Sequence, residues 1–318
     1  KRILQAAAFA VAAAIITNPV QAQSTGGSVP KELRIGYQKY GTLVILKARG
    51  TLDKRLAEKG VNVKWTEFPF GPPLLEAINV GSLDVGTVGE APPIFAQAAG
   101  ADLVYVGNEP PAPTAEALVV PKDSQIKSVA ELKGRKIAVA KGSNANYLLI
   151  KLIEKAGLKF SDVSVVYLAP ADARAAFESG RVDAWSIWDP FLAAAEKQLG
   201  ARVLADGRGA VANHQFYLAA RSFAEKHPEI IHILLDEIAK VDQWGKQNPK
   251  EVAKFIAPLI GIELPIAELA AQRLTYGVKP VTDEVLAQQQ KVADAFAELK
   301  LVPKPVRVAD AAWKNSRK

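Results

Sequence analysis

The sequence predicts an α/β protein of two lobes, each a mostly parallel sheet flanked by helices, joined by a hinge of two strands. Three observations carry that prediction. Short β-type runs alternate with helical patterns along most of the chain, the signature of a parallel sheet with helices on its faces. A half-unit occurs twice: Gly81-Ser82-Leu83-Asp84 leads to Gly89-Glu90-Ala91-Pro92, and Gly180-Arg181-Val182-Asp183 leads to Trp188-Asp189-Pro190, with Gly81, Asp84 and Glu90 matched to Gly180, Asp183 and Asp189 at one offset of 99 residues. Two stretches, residues 108–118 and 205–214, interrupt the rhythm as two chain crossings between lobes would. At 318 residues the chain is comfortable as two cores. The expected lobes are residues 32–115 with 214–318, and residues 116–213.

In order, Leu33 to Tyr37 is a β-type run, and a loop at Gln38 to Thr42 leads to one helical pattern from Leu43 to Lys59 that stops at Gly60. Val61 to Phe68 alternates as a strand, Pro69 to Pro73 opens a helix ending near Gly81, and the first half-unit follows. Asp102 to Gly107 is a strand. Asn108 to Pro113, rich in Pro, is stiff and extended, and Ala117 to Val120 reads as the connecting strand after it. The βα pattern restarts with a strand at Lys136 to Ala140, a Lys141 to Asn144 loop and a helix from Ala145 to Ala156. Val163 to Leu168 is a strand, Ala169 to Asp172 starts a helix ending at Gly180, and the second half-unit opens there. Ala201 to Leu204 closes the second lobe, and Gln215 to Ala220 is a strand placed back in the first. From Arg221 onward the pattern is helical, with Pro228 to Gly245, Pro249 to Ile260, Ile266 to Leu274 and Asp283 to Lys300 expected to cover the first lobe and the hinge.

Composition narrows the chemistry. Hydrophobic residues at 49% and charged residues at 23% describe an ordinary globular protein. The formal charge is +7, and there is no Lys/Arg run of five or basic stripe interleaved with aromatics, so nucleic acid is not an expected partner and mild steering of small anions is. There are no cysteines, which excludes disulfides, thiolate metal sites, a Cys nucleophile and the usual point of lipid attachment. Lys1-Arg2, the apolar run from Ile3 to Ile16 and Val20-Gln21-Ala22 read as a secretory signal peptide over residues 1–22, followed by a flexible leader over 23–31. Loss of Lys1 and Arg2 would lower the formal charge by two, to +5. Export as a soluble monomer is the expectation.

The loops that could carry chemistry sit at the C-terminal ends of strands, where open α/β sheets form their ligand crevice. Each precedes a helix, and helix N-termini offer unpaired amides and partial positive charge to an anion. Lys141-Gly142-Ser143-Asn144 is the best such cradle, with Ser143 and Asn144 either donating to ligand or, for Ser143, capping the helix. Gln38 and Tyr40 lie in the first loop and Gly89 in the third. Glu90 and Asp189 either reach ligand or cap the helices that follow. Arg174 either reaches a ligand oxygen or pairs with Asp172 or Glu178. Trp188 is the expected apolar wall and Trp185 core. Asp84 and Asp183 read as turn anchors that accept backbone N–H bonds locally. His214 starts the return strand and is either a ligand contact or structural. His227 and His232 have the wrong spacing for one helical face, so no metal site is expected, and without a Ser elbow or a His-Glu-x-x-His motif no catalytic residues and no cofactor are expected.

The runs Asn79 to Asp84, Gly89 to Tyr105, Pro170 to Phe177, Val182 to Pro190 and Phe216 to Arg221 resemble the aliphatic sulfonate-binding proteins of bacterial ABC importers, within the nitrate/sulfonate/taurine-binding family. The resemblance spans Leu33 to Trp313. It implies the type II periplasmic-binding-protein fold and a receptor that closes on one anionic organosulfonate before docking on an inner-membrane ABC permease. The sulfonate would be held by polar side chains and helix N-termini, matching Gln38, Gly89, Glu90, Ser143, Asn144 and Trp188. Glu90 departs from the Asp that relatives often carry. The alternatives are a receptor for taurine, nitrate or a pyrimidine precursor of thiamine, and an enzyme on the same fold.

Overall fold

The computed structural model describes residues 29–315. The expected signal peptide and all but the last residues of the leader lie outside the described residues. The chain begins with β1 (Glu32–Tyr37), α1 (Thr42–Arg49), α2 (Thr51–Ala57), β2 (Asn62–Glu67), α3 (Gly71–Asn79), β3 (Val85–Gly89), α4 (Pro92–Ala98) and β4 (Leu103–Asn108). It continues with β5 (Glu116–Val120), β6 (Lys136–Val139), α5 (Asn144–Lys155), β7 (Ser164–Tyr167), α6 (Pro170–Glu178), β8 (Ala184–Trp188), α7 (Phe191–Leu199) and β9 (Arg202–Asp206). It closes with β10 (Gln215–Ala220), α8 (Arg221–Lys226), α9 (Pro228–Gln247), α10 (Pro249–Ile260), α11 (Leu264–Arg273) and α12 (Asp283–Glu298).

These strands form two five-stranded sheets of the same design, ordered β2-β1-β3-β10-β4 and β7-β6-β8-β5-β9. In each, β1–β2–β3 or β6–β7–β8 run parallel, and the strand that follows a crossing, β10 or β5, is inserted antiparallel to both its neighbours. The two inserted strands are where the chain passes from one sheet to the other and back. Both faces of each sheet are covered, which is why the strands read as near-continuous apolar runs. Leu103 and Tyr105 of β4 point into one core, with α3, α4 and α12, while Val104 and Val106 point into the other, with α1, α9 and α10. Two further cores lie on the faces of the second sheet, around α5 and around α6 and α7.

Two expectations are corrected. The helical pattern from Leu43 to Lys59 is two helices, because Gly50 adopts φ 63° and closes α1 with its amide on Leu46 and Lys47 carbonyls before α2 starts. Asp84 and Asp183 anchor backbone, but not locally. The Asp84 amide donates to Arg34 O at 2.9 Å while its carboxylate accepts the Arg34 amide at 2.8 Å, and Asp183 does the same with Lys136 at 2.8 and 2.8 Å. Each Asp thus fastens the start of its strand to the neighbouring parallel strand, and the duplicated motif is a sheet-registering device.

Candidate ligand-binding site

Between the two sheets, at the C-terminal ends of their parallel strands, lies a small chamber of about 40 Å³. Gln38, Tyr40, Gly89, Ser143, Asn144 and Trp188 line it, and all six were expected from the sequence. Gly71, Pro92, Asn213 and Gln215 complete it. Gly71 and Pro92 belong to loops flagged for their position ahead of a helix. Asn213 and Gln215 had no such signal, because they come from the return crossing rather than from a strand-to-helix loop.

Each wall has a local cause. Three helices present their first residues to the chamber: α3 with Gly71, α4 with Pro92 and α5 with Asn144. Pro occupies the first turn of α3 and α4 and removes amide donors there, whereas the first turn of α5 has none. The α5 terminus is therefore the strongest anion-facing end. Its Ser143 is the cap: the hydroxyl accepts from the Asn146 amide at 3.3 Å and donates to Ala140 O at 2.7 Å, so it is engaged in the turn while forming part of the wall. Lys141 lies exposed over the Tyr167 ring, 5.8 Å from its centroid, and is not part of the lining.

Asn144 ties the two halves together. From α5 its Oδ1 accepts the Ala91 amide at 3.1 Å, and its Nδ2 donates to Asn213 Oδ1 at 2.5 Å. It lies so close to Gly89 that a Cβ there would stand 2.1 Å from Nδ2. Gln38 donates to Thr87 O at 3.0 Å, and Gln215 donates to Thr87 Oγ1 at 2.8 Å, which fixes two chamber amides against β3. Burial and the nearby Asp189 carboxylate push the Tyr40 hydroxyl up, so it stays a neutral donor.

Glu90, Asp189 and His214 lie behind the chamber rather than on its surface. Glu90 Oε2 accepts the His214 amide at 3.1 Å, and burial pushes its carboxyl up to about 7. Asp189 caps α7 by accepting the Ala193 amide at 3.0 Å; burial raises it to about 7, opposed by Arg273. The His214 ring contacts Glu109 O at 2.9 Å and Gln288 Oε1 at 3.2 Å, which is the structural alternative. Glu116, wholly buried on β5, is likewise held above the carboxylate range by burial and by Glu90. Burial thereby biases Glu90 and Glu116 toward neutrality, whereas Asp189 has Arg273 as its counter-ion.

Outside the chamber, and sharing Gln38, Tyr40 and Trp188 with it, is a groove of about 550 Å³. Phe68, Pro170, Phe191, Ala194, Ile262 and Ile266 make its sides largely apolar, with the Trp188 and Phe191 rings edge to face at 6.0 Å. Arg174 reaches this groove but pairs with Glu178 at 2.6 Å, and Asp172 is exposed on the first turn of α6, away from both spaces. No Lys, Arg, His, Asp or Glu lines the inner chamber among the described residues, and no metal-binding cluster occurs among them.

The chain resembles known proteins in sequence and in fold. The NMT1/THI5-like family model matches residues 56–252. The chain belongs to that family. Among the family's proteins, a putative aliphatic sulfonates-binding protein of Escherichia coli K12 is 48% identical over 292 residues, covering 91% of each chain. The structure of the alkanesulfonate-binding protein of Xanthomonas axonopodis pv. citri bound to MOPS matches with 41% identity and a TM-score of 0.85, covering 89% of this chain and 98% of that one. The periplasmic aliphatic sulphonate-binding protein of Escherichia coli matches with 46% identity and a TM-score of 0.83, covering 91% and 94%. The two-lobed type II binding-protein fold is thus shared with these family members.

Proposed function

We propose that this protein is the periplasmic substrate-binding component of a bacterial ABC importer and captures aliphatic sulfonates. The observation that carries the reading is the chamber itself: neutral donors and one unobstructed helix N-terminus inside, an apolar aromatic-walled groove outside. A sulfonate has three acceptor oxygens and stays singly charged at physiological pH, so amide donors and the α5 dipole suffice to hold it, and no proton donor is required. Glu90, which burial biases toward the neutral acid, and Asp189, which has Arg273 as its counter-ion, add little repulsion. The groove then accepts the alkyl tail. Family membership supports the same ligand class, and docking of the loaded monomer on a membrane permease completes the reading.

Taurine is the rival ligand. Its ammonium would need a carboxylate, and none lines the chamber, although Glu67 and Glu263 line the groove that takes the tail. The test is a thermal-shift and calorimetry panel of ethane- to octanesulfonate, taurine, nitrate and sulfate. Alkanesulfonates should stabilise the protein, increasingly with chain length as methylenes enter the groove, each adding up to about 0.8 kcal/mol. Absence of any shift with every sulfonate rejects the function, and a shift with taurine alone replaces the ligand.

A further inference from the structure

Helix α11 belongs to both halves of the molecule. Ala267 and Ala271, one turn apart, sit in a core of the first sheet, whereas Ile266 and Ala270, also one turn apart, pack on Ala193 and Ala194 of α7 beside the second sheet. Helix α7 starts just after Asp189-Pro190, so it continues the wall that carries Trp188. Polar contacts flank this apolar seam. Gln198 of α7 donates to Glu263 Oε1 at 2.8 Å. Arg273, the last residue of α11, donates through Nη2 to Glu196 Oε2 at 2.7 Å and through Nη1 to Asp189 Oδ1 at 3.4 Å. Asp189 is wholly buried and Arg273 is 17% exposed, so this three-way pairing is largely shielded from water.

The planar guanidinium is suited to span two carboxylates at once, which a lysine ammonium cannot do equally. It also supplies the cation for a carboxylate, Asp189, that burial otherwise disfavours. Arg273 lines neither the chamber nor the groove.

We propose that α11 is a clamp on the ligand site and that Arg273 is its positioning residue, gripping Asp189 and Glu196 from the side of the first sheet so that the Trp188 wall stays against the chamber. The inference rests on the sulfonate-receptor reading only for the choice of ligand. The ion pairs join elements packed on the two sheets and so oppose separation of α7 from α11. Arg273 therefore acts on ligand release more than on encounter.

The test measures hexanesulfonate binding by stopped-flow tryptophan fluorescence in the wild type, Arg273→Gln, Arg273→Lys and Glu196→Gln. Arg273→Gln should raise the dissociation rate about tenfold or more while the association rate stays within about twofold. Arg273→Lys should fall between, as its ammonium meets one carboxylate at a time. In parallel, the cysteine-free chain takes spin labels at Lys197→Cys and Glu268→Cys, both exposed on α7 and α11. The ligand-free label distance should broaden when Arg273→Gln is added. A dissociation rate and label distance both unchanged in Arg273→Gln overturn the proposal. If the wild type ignores hexanesulfonate, the receptor reading fails while the distance measurement, which needs no ligand, still decides the clamp. Should Arg273→Gln not fold, Glu196→Gln decides in its place: faster release and a broader distance support the clamp, and no change in either overturns it.

Discussion

Gly89 is the residue where the chamber has least room. Asn144, reaching across from the other half, lies where a methyl would go, 2.1 Å from its Nδ2. Asn144 is held by two hydrogen bonds and cannot swing away freely. Gly89→Ala should therefore wedge the halves apart and weaken ligand binding at least about tenfold by calorimetry, with added Asn144→Ala restoring room for the methyl. Glu90 makes a prediction about pH. Its carboxyl rises on folding from 4.5 to about 7 because it is buried, so the fold prefers the neutral acid. The stability this gives is fully present below the unfolded value and is lost as pH rises through about 7, a change on the order of 3 kcal/mol. Urea midpoints should fall between pH 5 and pH 8, and Glu90→Gln should flatten part of that slope; an unaltered slope would remove Glu90 from the account. These details show how far the site could be read in advance. Loops ahead of helices gave Gln38, Ser143, Asn144 and Trp188, because helix starts are marked by caps and Pro. That Glu90 and His214 turn inward depends on packing between crossings distant in the chain, for which no local pattern exists. The same holds for Asn213, whose φ of 53° places it against Asn144.

Among elements, helix ends and apolar alternation were legible almost throughout. Gln215 to Ala220 and Pro249 to Ile260 match β10 and α10 in full, since a strand buried on both faces and a Pro-started amphipathic helix are strong patterns. The break between α1 and α2 was hidden, because Gly50 sits inside a continuous helical periodicity and only its backbone angle reveals a stop. Gly50→Ala should cost about 1 kcal/mol in a urea titration, as a Cβ is strained at φ 63°; a neutral result would mean that α1 and α2 can merge. The partner of the Asp84 and Asp183 carboxylates was also hidden, because strand adjacency is a property of the sheet. Once β1 lies beside β3 and β6 beside β8, the same Asp finds the same amide in both copies.

For the whole molecule, two sheets of one design meet at a chamber to which both contribute. A ligand at about 100 times its dissociation constant should add about 2.7 kcal/mol to unfolding, and it should protect both halves together because the chamber needs residues of each. The two halves do not contribute alike. Of the three helix starts at the chamber, only α5 keeps all its first-turn amides, since Pro removes two in α3 and two in α4. The α5 side can therefore attract and seat an anion while the molecule stands open, whereas the opposite side offers shape, side-chain amides and closure. The asymmetry predicts an order of capture in which the second sheet receives the ligand and the first closes on it. Two prolines at each of two helix starts, unremarkable as local structure, would then decide which half of the molecule governs arrival and which governs retention.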